Sequence, residues 1–271
     1  MPKHRVIPLA LAAAAFASTA QALAETPPPP ADAAALARTV AGDPEARRPL
    51  AKLRSALCLV VAAEDEAFAR TVAERIVDNA RAAGIRMRQE GCSANALVNF
   101  TDDARTQLQG VREDGRKLFR RMSEKEIDAA LAARDPAYVF QAVEWTPRLG
   151  EGDAFVGVAG SGDNWTKERS YLRTPEDLVT TMVVVDSKAV AGFSPVQLAD
   201  YVTLRLLAPT GEVAADHPAA PRTILSLFAA PQTAPTEMTP FDRTYLRTLY
   251  KMPRTAFAEE VLNEVARVAA K

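Results

Sequence analysis

The side chains able to do chemistry in this chain are few and scattered. Its 271 residues include two histidines, His4 and His217, and two cysteines, Cys58 and Cys92. A catalytic zinc site draws about three protein ligands from His, Cys, Asp and Glu and leaves a position open. His217 stands alone in Asp216-His217-Pro218, in a proline-rich stretch, and there is no H-E-x-x-H. It reads as an ordinary loop residue, and neither zinc hydrolysis nor any cofactor is expected. A serine nucleophile needs a base within hydrogen-bond reach. Gly160-Ser161-Gly162 is the nearest approach to a nucleophile elbow and reads more simply as a turn. Gly157 to Gly162 has the wrong spacing for a phosphate loop, and no Lys-Ser/Thr pair closes it.

Carboxylates remain. Asp102-Asp103 directly follows an apolar run and reads first as a helix N-cap, second as a site edge. Asp186 ends a strand pattern. With Asp200 and the Gly150–Thr166 segment it marks where an atypical hydrolytic site would have to form. Trp165, with Trp145 and Tyr171, could line a pocket, although packing is the commoner role of such rings.

These residues must be positioned by the elements around them. Leu57-Cys58-Leu59-Val60-Val61 is a continuous apolar run, the pattern of a strand covered on both faces. A helix is expected from about Asp65 to Ala83, with Phe68, Val72, Ile76 and Ala80 on one face and Gly84 as its stop. Ile85–Arg88 reads as a short strand and Ala96–Phe100 as a stronger one. Asp102–Met122 reads as a broken helix, and Ser123-Glu124-Lys125-Glu126 is a capping-box start for another. Tyr138–Trp145 and Leu178–Val185 are strand patterns on either side of an irregular, glycine-bearing stretch, 147–176. Ser194-Pro195 and Thr239-Pro240 each pair an N-cap with a first-turn proline. The last helix is expected over about 255–269. The whole reads as α+β: a mixed sheet with packed helices and a helix-rich C-terminal third.

The N-terminus has its own logic. Lys3, His4 and Arg5 precede a short apolar stretch and then Ala22-Leu23-Ala24, the form of a cleaved signal peptide over residues 1–24. The apolar stretch is too short for a comfortable membrane span. No span is expected after cleavage. The mature part would begin at Glu25 and work in the periplasm or as a secreted protein. Pro27–Pro30 implies an extended tether, so that residues 25–54 read as tether plus weak helix and 55–271 as one domain. Of 33 basic and 34 acidic side chains, the leader removes Lys3 and Arg5, leaving 31 against 34 and a net charge of −3. Such a surface gives no electrostatic reason to bind nucleic acid. In an oxidising compartment Cys58 and Cys92 are a candidate disulfide, with two separate buried thiols as the alternative.

Three segments together carry a resemblance. The first is Asn95-Ala96-Leu97-Val98-Asn99-Phe100, followed by Leu118-Phe119 and the helix start at Ser123–Ile127. The second is Gln197-Leu198-Ala199-Asp200-Tyr201. The third runs Thr239-Pro240-Phe241-Asp242-Arg243-Thr244-Tyr245 and on to Tyr250. In this order, over about Leu57 to Val268, the chain resembles a family of exported bacterial proteins of uncharacterised function, distantly related to zincin-like peptidase domains. In peptidase-like members the helix corresponding to Pro195–Ala208 carries a His-Glu pair. Here Ala199 and Asp200 occupy those places. Alanine cannot ligate a metal, and aspartate is one methylene shorter than glutamate. The resemblance thus implies a scaffold without its metal, a pseudoenzyme to which peptidase activity does not carry over. The expectation is a non-catalytic interaction or envelope-associated domain with a protein partner. An atypical hydrolase and a periplasmic small-molecule binder are the alternatives.

Overall fold

Alternation along two central strands divides the core between the faces of one sheet. The computed structural model describes residues 30–89, 91–113, 123–132, 136–145 and 175–271. Its elements are α1 (Pro30–Val40), β1 (Lys52–Leu53), β2 (Leu59–Ala62), α2 (Glu66–Ala82), β3 (Ala96–Thr101), α3 (Ala104–Glu113) and α4 (Glu124–Leu131). There follow β4 (Ala137–Trp145), β5 (Glu176–Asp186), α5 (Pro195–Leu207), α6 (Pro240–Lys251) and α7 (Ala258–Ala269). The fold is α+β with a mixed sheet, as the sequence pattern implies. The signal-peptide and tether readings over 1–29, and Trp165 with the Gly150–Thr166 segment, fall outside the described residues.

β5 is the hub. Antiparallel β4 follows one of its edges from Trp145↔Glu176 to Ala137↔Val185. The other edge is shared by two parallel strands, β1 at Lys52↔Asp177 and β3 from Ala96↔Thr181 to Thr101↔Asp186. β2 then pairs parallel with β3. Successive side chains of a strand point to opposite faces. Val98, Phe100, Val183 and Val185 therefore enter the larger core beside α2, α5, α6 and α7. Leu97, Met182 and Val184 face the other way, with Tyr138 and Phe140, beneath Leu108 of α3 and Ile127 and Leu131 of α4.

The helices start where their caps dictate. The Asp65 carboxylate accepts from Ala67 N and Phe68 N to open α2, whose Val72, Ile76 and Ala80 are fully buried, and Gly84 follows at φ +85°. Ser194 and Gln197 form a reciprocal capping box at α5, and Thr239 and Asp242 form another at α6, each with proline in the first turn. These boxes satisfy amides that a helix start would otherwise leave unpaired.

Three elements differ from expectation. β2 alternates between half-buried and exposed instead of being covered on both faces: Leu59 and Val61 pack on the larger core, while Val60 is 44% exposed. An apolar run alone does not distinguish a central strand from the edge strand this proves to be. Ile85–Arg88 makes only one bridge, Leu57↔Met87, in place of a strand. Within residues 30–54 the expected helix forms as α1, packed against α7 with Ala33, Leu36, Ala37 and Val40 buried, while β1, which no pattern marked, joins the sheet. Cys58, immediately before β2, and Cys92, in the turn before β3, are joined as a disulfide with Cα atoms 6.1 Å apart.

Candidate functional site

Asp200 occupies the second turn of α5, and it is wholly enclosed. Every residue from Leu198 to Leu207 is buried, and Ala199 and Asp200 are both 0% exposed. The Asp200 carboxylate accepts Arg75 Nε and a terminal guanidinium nitrogen of Arg75, each at 2.7 Å. It also accepts Asn79 Nδ2 at 2.6 Å and the backbone N–H of Met238 at 2.6 Å. Burial alone would raise this carboxyl, but Arg75, Met238 N and Asn79 together hold it below the ordinary aspartate value. Arg75 extends outward to Glu237 at 2.9 Å, and Glu237 meets Arg243 at 3.0 Å. The network thus ties α2, α5 and the approach to α6 together, and both carboxylate oxygens are spent in it. Thr203, one turn on, donates its hydroxyl to the Ala199 carbonyl at 2.7 Å.

Asp186 lies elsewhere, at the C-terminal end of β5. Its Oδ1 accepts from Lys188 N at 3.0 Å and Ala189 N at 3.1 Å, closing the turn that follows the strand. It shares no partner with Asp200. Asp103 accepts from Thr106 N at 3.3 Å and so caps α3, the first of the two readings of that pair. Asp102 meets Lys188 at 3.1 Å on the surface. His217 Nδ1 accepts from Ala219 N at 3.0 Å within its own turn, the structural role expected of it. Among the described residues, no three His, Cys, Asp or Glu side chains come together in a way that could hold a metal ion.

The end of β5 does form one wall of a groove. This depression, about 490 Å3 and open to solvent, is lined by Pro136, Tyr138, Asp186, Phe193, Phe228 and Pro231, among others. Its rings are held in place from behind. Phe193 and Phe228 meet edge to face at 5.4 Å, and Phe228 in turn packs on the fully buried Tyr201 ring at 4.5 Å. The groove sits where the start of β4 and the end of β5, an antiparallel pair, meet the segments before and after α5. Sequence reasoning reached Asp186 but missed the rings. Phe193 precedes the Ser194 cap, a position that usually reads as a hydrophobic staple.

Two further buried charges serve the framework. Asp242 is 0% exposed and accepts Thr223 Oγ1 at 2.6 Å, Ile224 N at 2.9 Å and Thr239 N at 3.0 Å. Burial pushes its carboxyl up to about 6 against those hydrogen bonds. Lys52 donates to the carbonyls of Leu249 at 2.8 Å and Met252 at 2.5 Å, at the C-terminal end of α6, and burial with nearby Arg254 lowers its ammonium to about 8.

Compared with family models, with curated proteins and with solved structures, the chain finds no match in any of the three.

Proposed function

We propose that this is an exported, non-catalytic interaction domain, built on a zincin-like scaffold that lacks the metal-binding pair, and that the groove at the end of β5 is its contact surface. One observation carries the non-catalytic reading. The helix position that would bear the chemistry presents a methyl group, Ala199, and a carboxylate already engaged by Arg75, Asn79 and Met238 N. A side chain enclosed on every side cannot meet a substrate or release its hydrogen bonds without opening the core. The groove supports the interaction reading. Supported rings beside prolines and a single carboxylate give apolar area with a polar edge, in an open shape that suits another protein's surface. Export to the periplasm or beyond rests on the leader pattern and agrees with the Cys58–Cys92 disulfide.

The test is zinc content by elemental analysis after incubation with zinc, together with peptide and ester hydrolysis by the protein and its Asp200→Asn variant. No stoichiometric zinc and no hydrolysis are expected. Bound zinc, or hydrolysis abolished in Asp200→Asn while the fold is retained, would overturn the proposal. The ring-lined groove also favours a second reading, a periplasmic small-molecule binder. In a thermal-shift screen, stabilisation by an aromatic or apolar ligand that Phe193→Ala abolishes would establish that reading in place of the first.

A further inference from the structure

Among the described residues no strand pairs with the outer edge of β2, and the surroundings of that edge are self-complementary. The inner side of β2 is taken by β3 in parallel register, Leu59↔Ala96 to Ala62↔Asn99. The Cys58 carbonyl accepts from Ala96 N at 3.2 Å, so it faces β3. Backbone groups alternate in direction along a strand, which turns the amides of Leu59 and Val61 outward. Leu57 has the same parity and shows the direction directly. Its outward N–H donates to Arg86 O at 2.7 Å, and its carbonyl accepts from Arg88 N at 2.8 Å. That rung ends the intramolecular pairing. Leu59 and Val61 have no outward partner among the described residues. Val60 points to the face opposite α2 and is 44% exposed.

Charge is segregated along this edge. Arg86 and Arg88 are exposed at its start; Glu64, Asp65 and Glu66 are exposed at its end. None of the five belongs to an ion pair among the described residues. Such an edge complements a copy of itself running the other way.

We propose that two copies of this chain join β2 to β2 antiparallel about a two-fold axis, merging their sheets into one. The geometry selects the register. Of the registers a two-fold perpendicular to the sheet allows, the one centred on Val60 pairs both outward-facing residues within β2: Val60 meets the partner's Val60, and Leu59 meets the partner's Val61. A Leu59 centre would need the occupied Leu57, and a Val61 centre would reach past the strand to Ala63. Leu59 and Val61 are the outward-facing residues, so each such pair exchanges two hydrogen bonds. The Val60 pair is the close, non-hydrogen-bonded kind, with Cα atoms about 4.5 Å apart. Pairing stops at Leu57, whose outward groups are already taken by Arg86 and Arg88. At both ends the guanidinium groups of one copy then lie beside the carboxylates of the other. A symmetric contact needs such a self-complementary patch. The ladder is short, so the dimer is weak, reversible and sensitive to salt. Self-association does not depend on the partner or the chemistry proposed above.

Sedimentation equilibrium over a concentration series is the test. The purified protein is expected to show a monomer–dimer equilibrium that Val60→Lys weakens about tenfold or more. The double variants Arg86→Glu/Arg88→Glu and Glu64→Lys/Glu66→Lys are each expected to be monomeric with unchanged circular dichroism. An equimolar mixture of the two is expected to recover a dimer, because opposite charges again meet at both ends. A wild-type monomer throughout the series, a dimer unaffected by Val60→Lys, or a mixture that stays monomeric would overturn the proposal.

Discussion

Replacing Asp200 by alanine removes the one group on which α2, α5 and the approach to α6 converge. The carboxylate is fully buried, and four hydrogen bonds end on it. Truncation leaves Met238 N–H without an acceptor, a desolvation penalty of about 1–3 kcal/mol for a buried group, and reduces the Asn79 amide to its 3.2 Å bond with Thr203 Oγ1. It also strands Arg75, and breaking a buried ion pair from one side costs about 3–5 kcal/mol. These contributions overlap and are not summed. Arg75 keeps 29% of its side chain in solvent and retains Glu237 at 2.9 Å. The loss therefore falls toward the lower end, about 3–4 kcal/mol. Urea unfolding at neutral pH reads it directly. With a slope near 2 kcal/mol/M, the midpoint should fall by roughly 1.5–2 M while the slope stays unchanged. The double variant Arg75→Met/Asp200→Leu, which removes both charges, should recover part of the loss. A cost below about 1 kcal/mol for Asp200→Ala would show that the network is not structural and would refute the reasoning that takes this residue out of chemistry.

Other expectations follow from the same framework. Asp242 has its carboxyl raised to about 6, against an ordinary 3.8, so the folded state binds the extra proton between those values. Its stabilising contribution is fully present below about pH 4 and is lost as pH rises through 6, by up to roughly 3 kcal/mol. Asp242→Asn should fold and flatten that limb of the stability–pH profile. A carboxamide oxygen can accept Ile224 N and Thr239 N while its nitrogen meets Thr223; an unchanged profile would contradict this. Asp200 acts in the opposite sense: its depressed carboxyl contributes stability above about pH 4 that is lost as pH falls through its folded value, and Asp200→Asn should remove that acid limb. Replacing Cys58 and Cys92 together by serine should cost about 3–4 kcal/mol in thermal or urea unfolding, through the loop the disulfide closes. Gly211→Ala should cost about 1–3 kcal/mol, because its Cβ would lie 2.6 Å from Gly42 Cα and 2.9 Å from Thr39 O, prising α1 from the loop after α5. A neutral outcome would mean that α1 does not belong to the cooperative core.

Local chemistry was legible in the sequence and long-range pairing was not. Ser194 and Thr239 announce helix starts because a cap acts within three residues, and both caps form. The helix face of Val72, Ile76 and Ala80 and the strands β3, β4 and β5 show in spacing alone. β1 was invisible, since two residues carry no period, and only β5 defines them as a strand. The edge status of β2 depends on which strand lies beside it. At the candidate site, the sequence could single out Asp200 as the one carboxylate on a largely apolar helix. It could not reveal Arg75, 125 positions away, as the partner that occupies Asp200. The groove joins Tyr138 of β4, Phe193 before α5 and Phe228 after the 3-10 turns Ala220–Arg222 and Ile224–Ser226, a convergence made only by the sheet's topology.

The central claim, an interaction domain working through the groove at the end of β5, is tested most directly by site-specific photo-crosslinking in cells. A photoreactive phenylalanine analogue would replace Phe193, with a control at an exposed position remote from the groove, and adducts would be identified by mass spectrometry. The account predicts one dominant protein adduct from position 193 that is absent from the control. No adduct above background at 193, or the same set of adducts from both positions, would contradict it.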